Sequence, residues 1–259
     1  MAAASGMVMK ERGQEMNQPE TPSAAVLVIG DEILSGRTKD SNSGFIADTL
    51  TDLGIDLEEV RVVADRKQAI IEAVRALSEK YDYVFTTGGI GPTHDDITAD
   101  AVAEAFNVSI DVDRRARAIL EARYKNTDME LNAARLRMAR IPDGAELIEN
   151  RISGAPGFRL GNVHVMAGVP AVMQAMMDAI IETLPTSAAM LSETVEAGRG
   201  EGDVAALLET LQADFRSVRI GSYPYHDGTR FTTRIVLRSR DASALKAARG
   251  ALDAALETG

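Results

Sequence analysis

The sequence predicts an α/β protein, with a parallel sheet covered on both faces, followed by a small α+β domain. Three observations predict it. Short apolar runs of strand composition alternate with longer runs of helical period from Ala24 onward. A glycine-rich segment, Thr86 to Thr98, joins one such strand to the helix after it. Composition then changes near Pro185-Thr186-Ser187, and the pattern beyond that point becomes β-α-β-β-α.

Taken in order, AAVLVIG reads as the first strand, Ser43–Leu53 as a helix, Leu57–Val63 as a strand, Arg66–Lys80 as a helix, Asp82–Thr86 as a strand and Thr98–Phe106 as a helix. Strands separated by helices form parallel sheets, and ligands of such folds sit beyond the carboxyl ends of the strands. That rule gathers Gly30-Asp31-Glu32, Asp65 and the glycine-rich segment onto one edge. A helical region follows from Arg114 to about Ala139, broken at Ile141-Pro142-Asp143-Gly144, and ISGAPGFRLGNVHVMAGVP has the pattern of short strands and loops. Ala167-Gly168-Val169-Pro170 opens a helix carrying Met173, Met176 and Met177, residues that serve more often as core or interface filler than as a cofactor box. The small domain, residues 190–257, reads as strand Met190–Ala197, helix Asp203–Phe215, strand Val218–Tyr223, a turn at His226-Asp227-Gly228, strand Phe231–Arg238 and helix Ala242–Leu256.

Composition bounds the function. The chain has 259 residues, 45% of them hydrophobic, enough for a real core. With 39 acidic against 28 basic residues, a net charge of -11 argues against a broad phosphate-tracking surface for DNA or RNA. Absence of cysteine removes disulfides, thiolate nucleophiles and cysteine-ligated zinc. Residues 1–23 carry charges and no sustained apolar stretch, so they read as a disordered leader rather than a secretory signal. No run reaches the length of a membrane span, and a cytoplasmic location is expected.

The segment Thr86-Thr87-Gly88-Gly89-Ile90-Gly91-Pro92-Thr93-His94-Asp95-Asp96-Ile97-Thr98 carries the chemistry. Glycines at a strand-to-helix junction let backbone approach a ligand, and free N–H groups at a helix start attract phosphate. Paired acids beside such an anion site call for a bridging cation or proton, and a hard cation with oxygen ligands is the natural bridge. The spacing is neither a dinucleotide-binding G-x-G-x-x-G nor a Walker A loop. A plain tight βα connection is the alternative. Asp31 and Glu32 read as ligand or metal contacts, or as dipole partners of a helix entry. Asp40, Ser41 and Asn42 form an N-cap set, with Ser41 as the cap and Asn42 also placed to touch ligand. Arg37 and Lys39 offer charge to a diphosphate or are solvated; His94 is a ligand contact, a proton donor or exposed. Neither His164 nor His226 forms a cluster with it.

Three segments, VIGDEILSGRTKDSNSGFIADTL, TTGGIGPTHDDITADAVAEAF, and IPDGAELIENRISGAPGF followed by AGVPAVM, together resemble the molybdopterin-binding domain family, most closely the amino-terminal branch of the competence-damage-inducible CinA proteins. The resemblance covers about Ala24 to Leu184, and the region after it resembles the accessory domain of that branch. It implies a three-layer α/β/α sandwich, domain 24–185, with a cleft formed by the GDE turn, the glycine loop and the GAPG region. It implies Asp65 and Asp96 as catalytic acids; the paired Asp95 and Asp96 themselves read as ligands of Mg²⁺ or Mn²⁺. Gly30, Asp31, Glu32, Asn42, Thr87, Gly88, Gly89, Gly91, Pro92, Thr93, Gly154 and Pro156 become the ligand contacts. Pterin-adenylylating relatives place a basic residue before the loop acid, where this chain has Asp95. The resemblance implies a pterin or nucleotide diphosphate as the bound small molecule. The second implication is metal-dependent hydrolysis of ADP-ribose, FAD or a related dinucleotide. A homodimer or other homo-oligomer is expected, from the family and from the apolar methionine helix.

Overall fold

The computed structural model describes residues 21–125, 127, 128 and 130–258. The expected leader falls largely outside these residues, although Ser23, assigned to it, already opens the first strand.

The large domain runs β1 (Ser23–Ile29), α1 (Asp31–Leu34), α2 (Asn42–Leu53), β2 (Asp56–Val63), α3 (Lys67–Lys80), β3 (Tyr83–Thr87), α4 (Thr98–Ala105), β4 (Ile110–Val112), α5 (Arg114–Tyr124), α6 (Ala133–Leu136), a 3₁₀ turn (Arg137–Ala139), β5 (Arg140–Pro142), β6 (Glu146–Ile148), β7 (Gly157–Leu160), β8 (Val163–Met166) and α7 (Pro170–Ile181). Six strands form one sheet in the order β2-β1-β3-β8-β7-β6. β2, β1, β3 and β8 pair in parallel, and β7 returns antiparallel between β8 and β6.

Alternation along β1 builds the two outer layers. Ala25, Leu27 and Ile29 face a core shared with Ile70, Val74, Leu77, Ala101 and Leu120 of α3, α4 and α5. Ala24, Val26 and Val28 face the opposite core, shared with Ile46, Leu50, Met173, Met176 and Ile180 of α2 and α7. The expected α/β sandwich with a mostly parallel sheet is therefore the observed fold.

Differences arise where side chains override period. The single helix expected over Arg114–Ala139 is interrupted after Tyr124 and restarts where the Asn132 carboxamide accepts the Arg135 amide at 3.0 Å. Ser41 makes no capping bond; Asp40 caps α2 instead, accepting from Asn42 N at 2.9 Å and Ser43 N at 3.3 Å. Met173, Met176 and Met177 are no more than 1% exposed, packed into the chain's own core.

The small domain comprises β9 (Leu191–Glu196), α8 (Glu201–Asp214), β10 (Arg219–His226), β11 (Phe231–Ser239) and α9 (Ala242–Thr258), the predicted β-α-β-β-α order. Its antiparallel sheet, β10-β11-β9, buries Val195, Ile235 and Leu237 against Val204, Leu211, Leu245 and Leu252 of the two helices, leaving the other sheet face open. Gly54 (φ 73°) ends α2 in the left-handed conformation and lets the interdomain segment pass, since a Cβ there would lie 2.7 Å from the Ser187 and Ala188 carbonyl oxygens. Among the described residues, no helix is long and apolar enough to cross a membrane.

Candidate functional site

The chain leaves β1 toward β2 on one side and then crosses to β3 on the other, so the ends of β1 and β3 form a switch point in strand order. A crevice opens at such a point in a parallel sheet. Four strand-end connections meet there: Gly30-Asp31-Glu32 after β1, Asp65 after β2, the glycine loop after β3 and Ala167-Gly168-Val169 after β8.

The glycine loop closes on itself. Thr98, fully buried, donates its hydroxyl to Gly88 O at 3.0 Å, and its amide donates to Gly89 O at 3.0 Å. Gly88 N is held by Met166 O at 3.1 Å. Gly88 has φ 104°, and a Cβ on it would sit 2.2 Å from Ile29 O, so only glycine lets the loop pass the end of β1. The amides of Gly89, Ile90 and Gly91 meet no acceptor among the described residues. Consecutive unpaired N–H groups of this kind form an anion-binding concavity.

Asp96 shapes the loop. One carboxylate oxygen accepts from Thr93 N at 2.8 Å and from the Thr93 hydroxyl at 2.5 Å, and it lies where a Gly91 Cβ would be only 2.6 Å away. Thr93 is thereby engaged with Asp96. Arg137, unsuspected within its helix-like sequence, reaches under the loop with Nη2 donating to Asp96 O at 3.3 Å, while its buried Nε has no partner.

A second acid anchors the opposite wall. Asp65 accepts from Asp31 N at 2.8 Å. Burial pushes its carboxyl above the usual carboxylate range against that hydrogen bond, and the charges of Glu32, Asp31 and Asp95 raise it further. Glu32 folds back over Gly30, where a Cβ would lie 2.7 Å from both carboxylate oxygens. Among the described residues, no three acidic or histidine side chains converge as a ready-made metal cage. The all-oxygen donor set nonetheless fits a hard cation that takes its remaining ligands from phosphate and water, as Mg²⁺ commonly does.

Beside these groups lies a cavity of about 500 Å³, whose lining does not include Gly30, Asp31, Asp65, Thr93 or Asp95, all expected at the site. Glu32, Gly88, Gly89, Gly91 and Asp96 line it, as the sequence led us to expect; Thr38, Met138, Gly168, Val172 and Met176 line it without having been assigned there. Asn42 and Thr87 line an adjoining recess of about 60 Å³, where the Asn42 amide donates to Gly168 O at 2.8 Å and its carbonyl oxygen, buried, has no partner. Pro156 lies by Arg137 behind the loop. Gly154 packs toward Arg123 instead, and the neighbours that reach the cavity are Asn150, Ser153 and Ala155. Asn150 ties that turn together by donating to the Ser153 hydroxyl and Ala155 O at 2.5 and 2.8 Å. Pro92 is exposed, and the His94 side chain, 99% exposed, lies 3.8 Å from Asp95.

Comparison with known proteins gives the family. Residues 25–186 match the probable molybdopterin binding domain. The chain belongs to that family. Residues 189–259 match the middle domain of FAD synthase, which refines the expected accessory domain. A protein of Archaeoglobus fulgidus is 33% identical over 199 residues, 77% of this chain and 84% of the relative. The probable FAD synthase of Caenorhabditis elegans is 30% identical over 253 residues, 88% of this chain and 49% of that protein. This chain thus spans about half the length of that relative. The crystal structure of the protein CinA of Thermoplasma acidophilum, of unknown function, superimposes with a TM-score of 0.58 at 35% identity, covering 63% of this chain and 98% of that one.

Proposed function

We propose that the cleft binds a heterocycle bearing a phosphate or diphosphate, a pterin or a nucleotide of the FAD or ADP-ribose kind. The observation that carries this reading is the row of unpaired amides at Gly89, Ile90 and Gly91 on the rim of an apolar cavity of about 500 Å³. Backbone amides take the phosphate oxygens, and Ile90, Met138, Val172 and Met176 take the flat ring. Calorimetric titration with pterin, FAD, ADP-ribose and NAD, with and without divalent metal, tests it; no saturable binding to any of the four removes the reading.

A second reading, metal-dependent hydrolysis of the diphosphate, is favoured by Asp65. A carboxyl raised by burial is a better base than a solvated one, and it lies among acids that repel a diphosphate unless cations are present. Mg²⁺ or Mn²⁺, when bound, would be held by Asp95 and Asp96 together with the phosphates and water, and would supply charge neutralisation. Asp65 would then orient a water against one phosphorus and take its proton as the bond to the bridging oxygen breaks.

Asp96→Asn keeps an oxygen for Thr93 and so keeps the loop, yet loses the charge. We expect Asp96→Asn and Asp65→Asn each to lower metal-stimulated release of AMP from ADP-ribose or FAD by roughly a hundredfold or more, with thermal unfolding moved little. Unchanged release by both variants rejects hydrolysis at this site. A wild type that binds without cleaving leaves the binding reading alone standing.

A further inference from the structure

A cavity of about 670 Å³ lies away from the glycine loop, between α2 and β2 of the large domain and the open face of the small sheet. The charge arrangement on that face is unusual. Arg219 of β10 and Arg238 of β11 are direct cross-strand partners, so two guanidinium groups project from neighbouring positions of one face. Like charges opposite each other weaken a sheet. At the far end of the same face a single arginine, Arg234, stands opposite Tyr223 and is paired with Glu196 at 2.9 Å. The cavity end is less well neutralised. Arg219 approaches only Asp56, at 3.7 Å, and Asp56 is already held by Arg240 at 2.9 Å; Arg238 has no acidic partner among the described residues. A chain of net charge -11 has thus left Arg238 unpaired and Arg219 only weakly paired, side by side and facing a cavity.

The rest of the wall has a matching character. Gly221 stands between the arginine pair and Tyr223 on the same face of β10, and the Tyr223 ring lies over it, where a Cβ would come within 3.1 Å of the ring. The glycine keeps that aromatic surface down on the sheet and open to the cavity. On the facing side, α2 presents Asp48, an exposed carboxylate with no partner among the described residues. Two guanidinium groups suit a phosphate, an aromatic ring suits a stacked base, and a free carboxylate suits the hydroxyls of a ribose.

We infer that the interdomain cavity is a second ligand site, which takes a nucleoside monophosphate with its phosphate on Arg219 and Arg238, its base on Tyr223 and its ribose toward Asp48. Because its walls come from both domains, its occupant also bridges them. This inference is independent of what the glycine-loop cleft binds.

The test is calorimetric titration of the full chain with AMP, adenosine and inorganic phosphate. We compare wild type, the double variant Arg219→Ala with Arg238→Ala, Tyr223→Leu, and Glu32→Gln in the cleft of the large domain. AMP is expected to bind at a site that loses at least tenfold affinity in the double variant and severalfold in Tyr223→Leu, while Glu32→Gln leaves it unchanged. Adenosine should bind at least tenfold more weakly than AMP. Absence of AMP binding to the wild type overturns the inference, as does AMP binding that the arginine variant leaves intact. Inorganic phosphate binding as tightly as AMP overturns the nucleotide assignment, since the ring and the carboxylate would then contribute nothing. Both arginines are exposed and outside the core, so the double variant is expected to unfold at the wild-type temperature.

Discussion

The glycine-loop cleft and the open face of the small sheet are organised for negative charge in opposite ways. The cleft offers backbone amides whose positions are dictated by closely packed, positive-φ glycines, and surrounds them with acids. The small sheet offers guanidinium side chains on a regular ladder with open space above. Backbone donors cannot be moved without moving the fold, whereas side-chain donors can be deleted at little cost to it. The difference teaches that equivalent substitutions in the two regions should have unequal consequences.

Gly88→Ala should have the largest effect. A Cβ there meets Ile29 O at 2.2 Å, which the sheet end cannot yield, in addition to the strain of φ 104°. We expect a loss of about 3 kcal/mol or more in denaturant unfolding, together with loss of ligand binding in the cleft. A cost under about 1 kcal/mol would mean that the loop is not pinned as described.

Next in size is an acid sensitivity of the large domain. His164 is 2% exposed and stacks on Phe85 at 5.1 Å, and its Nδ1 has no partner; burial lowers its pKa to about 4. The folded state therefore binds fewer protons than the unfolded state between about pH 6.5 and 4, and stability falls as pH falls through that window, by up to roughly 3 kcal/mol. Unfolding midpoints of wild type and His164→Leu, compared at pH 7 and 4.5, should differ by a pH-dependent amount in the wild type's disfavour at acid pH. A pH-independent difference would remove the histidine as the cause.

Arg240 joins the two regions, donating to Asp56 at 2.9 Å, Gly54 O at 3.1 Å and Ala188 O at 2.8 Å. Arg240→Ala should cost about 2 kcal/mol and separate the thermal unfolding of the two domains into distinguishable transitions. A single unshifted transition would show that the junction is held by other contacts. Smallest is Gly228→Ala, in the β10–β11 hairpin. Its φ of 100° nearly equals that of Gly88, but a Cβ there meets nothing within 4 Å, so only the backbone strain of about 1–2 kcal/mol is expected. Equal costs at Gly88 and Gly228 would break the comparison between a packed loop and an open one.

Most of the fold was legible because it is local. Periodicity separated β1, α2, β2, α3, β3 and α4, each to within a residue or two, and the β-α-β-β-α order of the small domain read directly from its turns. The interruption after α5 was not legible, because the restart depends on one Asn132 hydrogen bond within a sequence of helical composition. At the site, Gly88, Gly89, Gly91 and Asp96 were legible from their spacing at a strand-to-helix junction. Thr38, Met138 and Arg137 carried no signal, since nothing in an ordinary loop or helix-like run says which other segment it will face. Gly154 looked equivalent to its neighbours in GAPG, but the turn held by Asn150 sends it toward Arg123 and brings Ala155 into the cavity.

The sequence by itself determined the elements, the positive-φ glycines that the loop demands, and the absence of any thiol chemistry. The tertiary structure decided which strand ends meet, by placing β1 beside both β2 and β3 and thereby bringing Asp65 to Asp31 from 34 residues away. It also decided that Asp96 is bound into the loop, that the methionines of α7 face inward, and that Arg219 and Arg238 stand side by side. The physical reason is that helix and strand periods are set by neighbours along the chain, whereas register and strand order are set by how two cores bury their surface on opposite faces of one sheet.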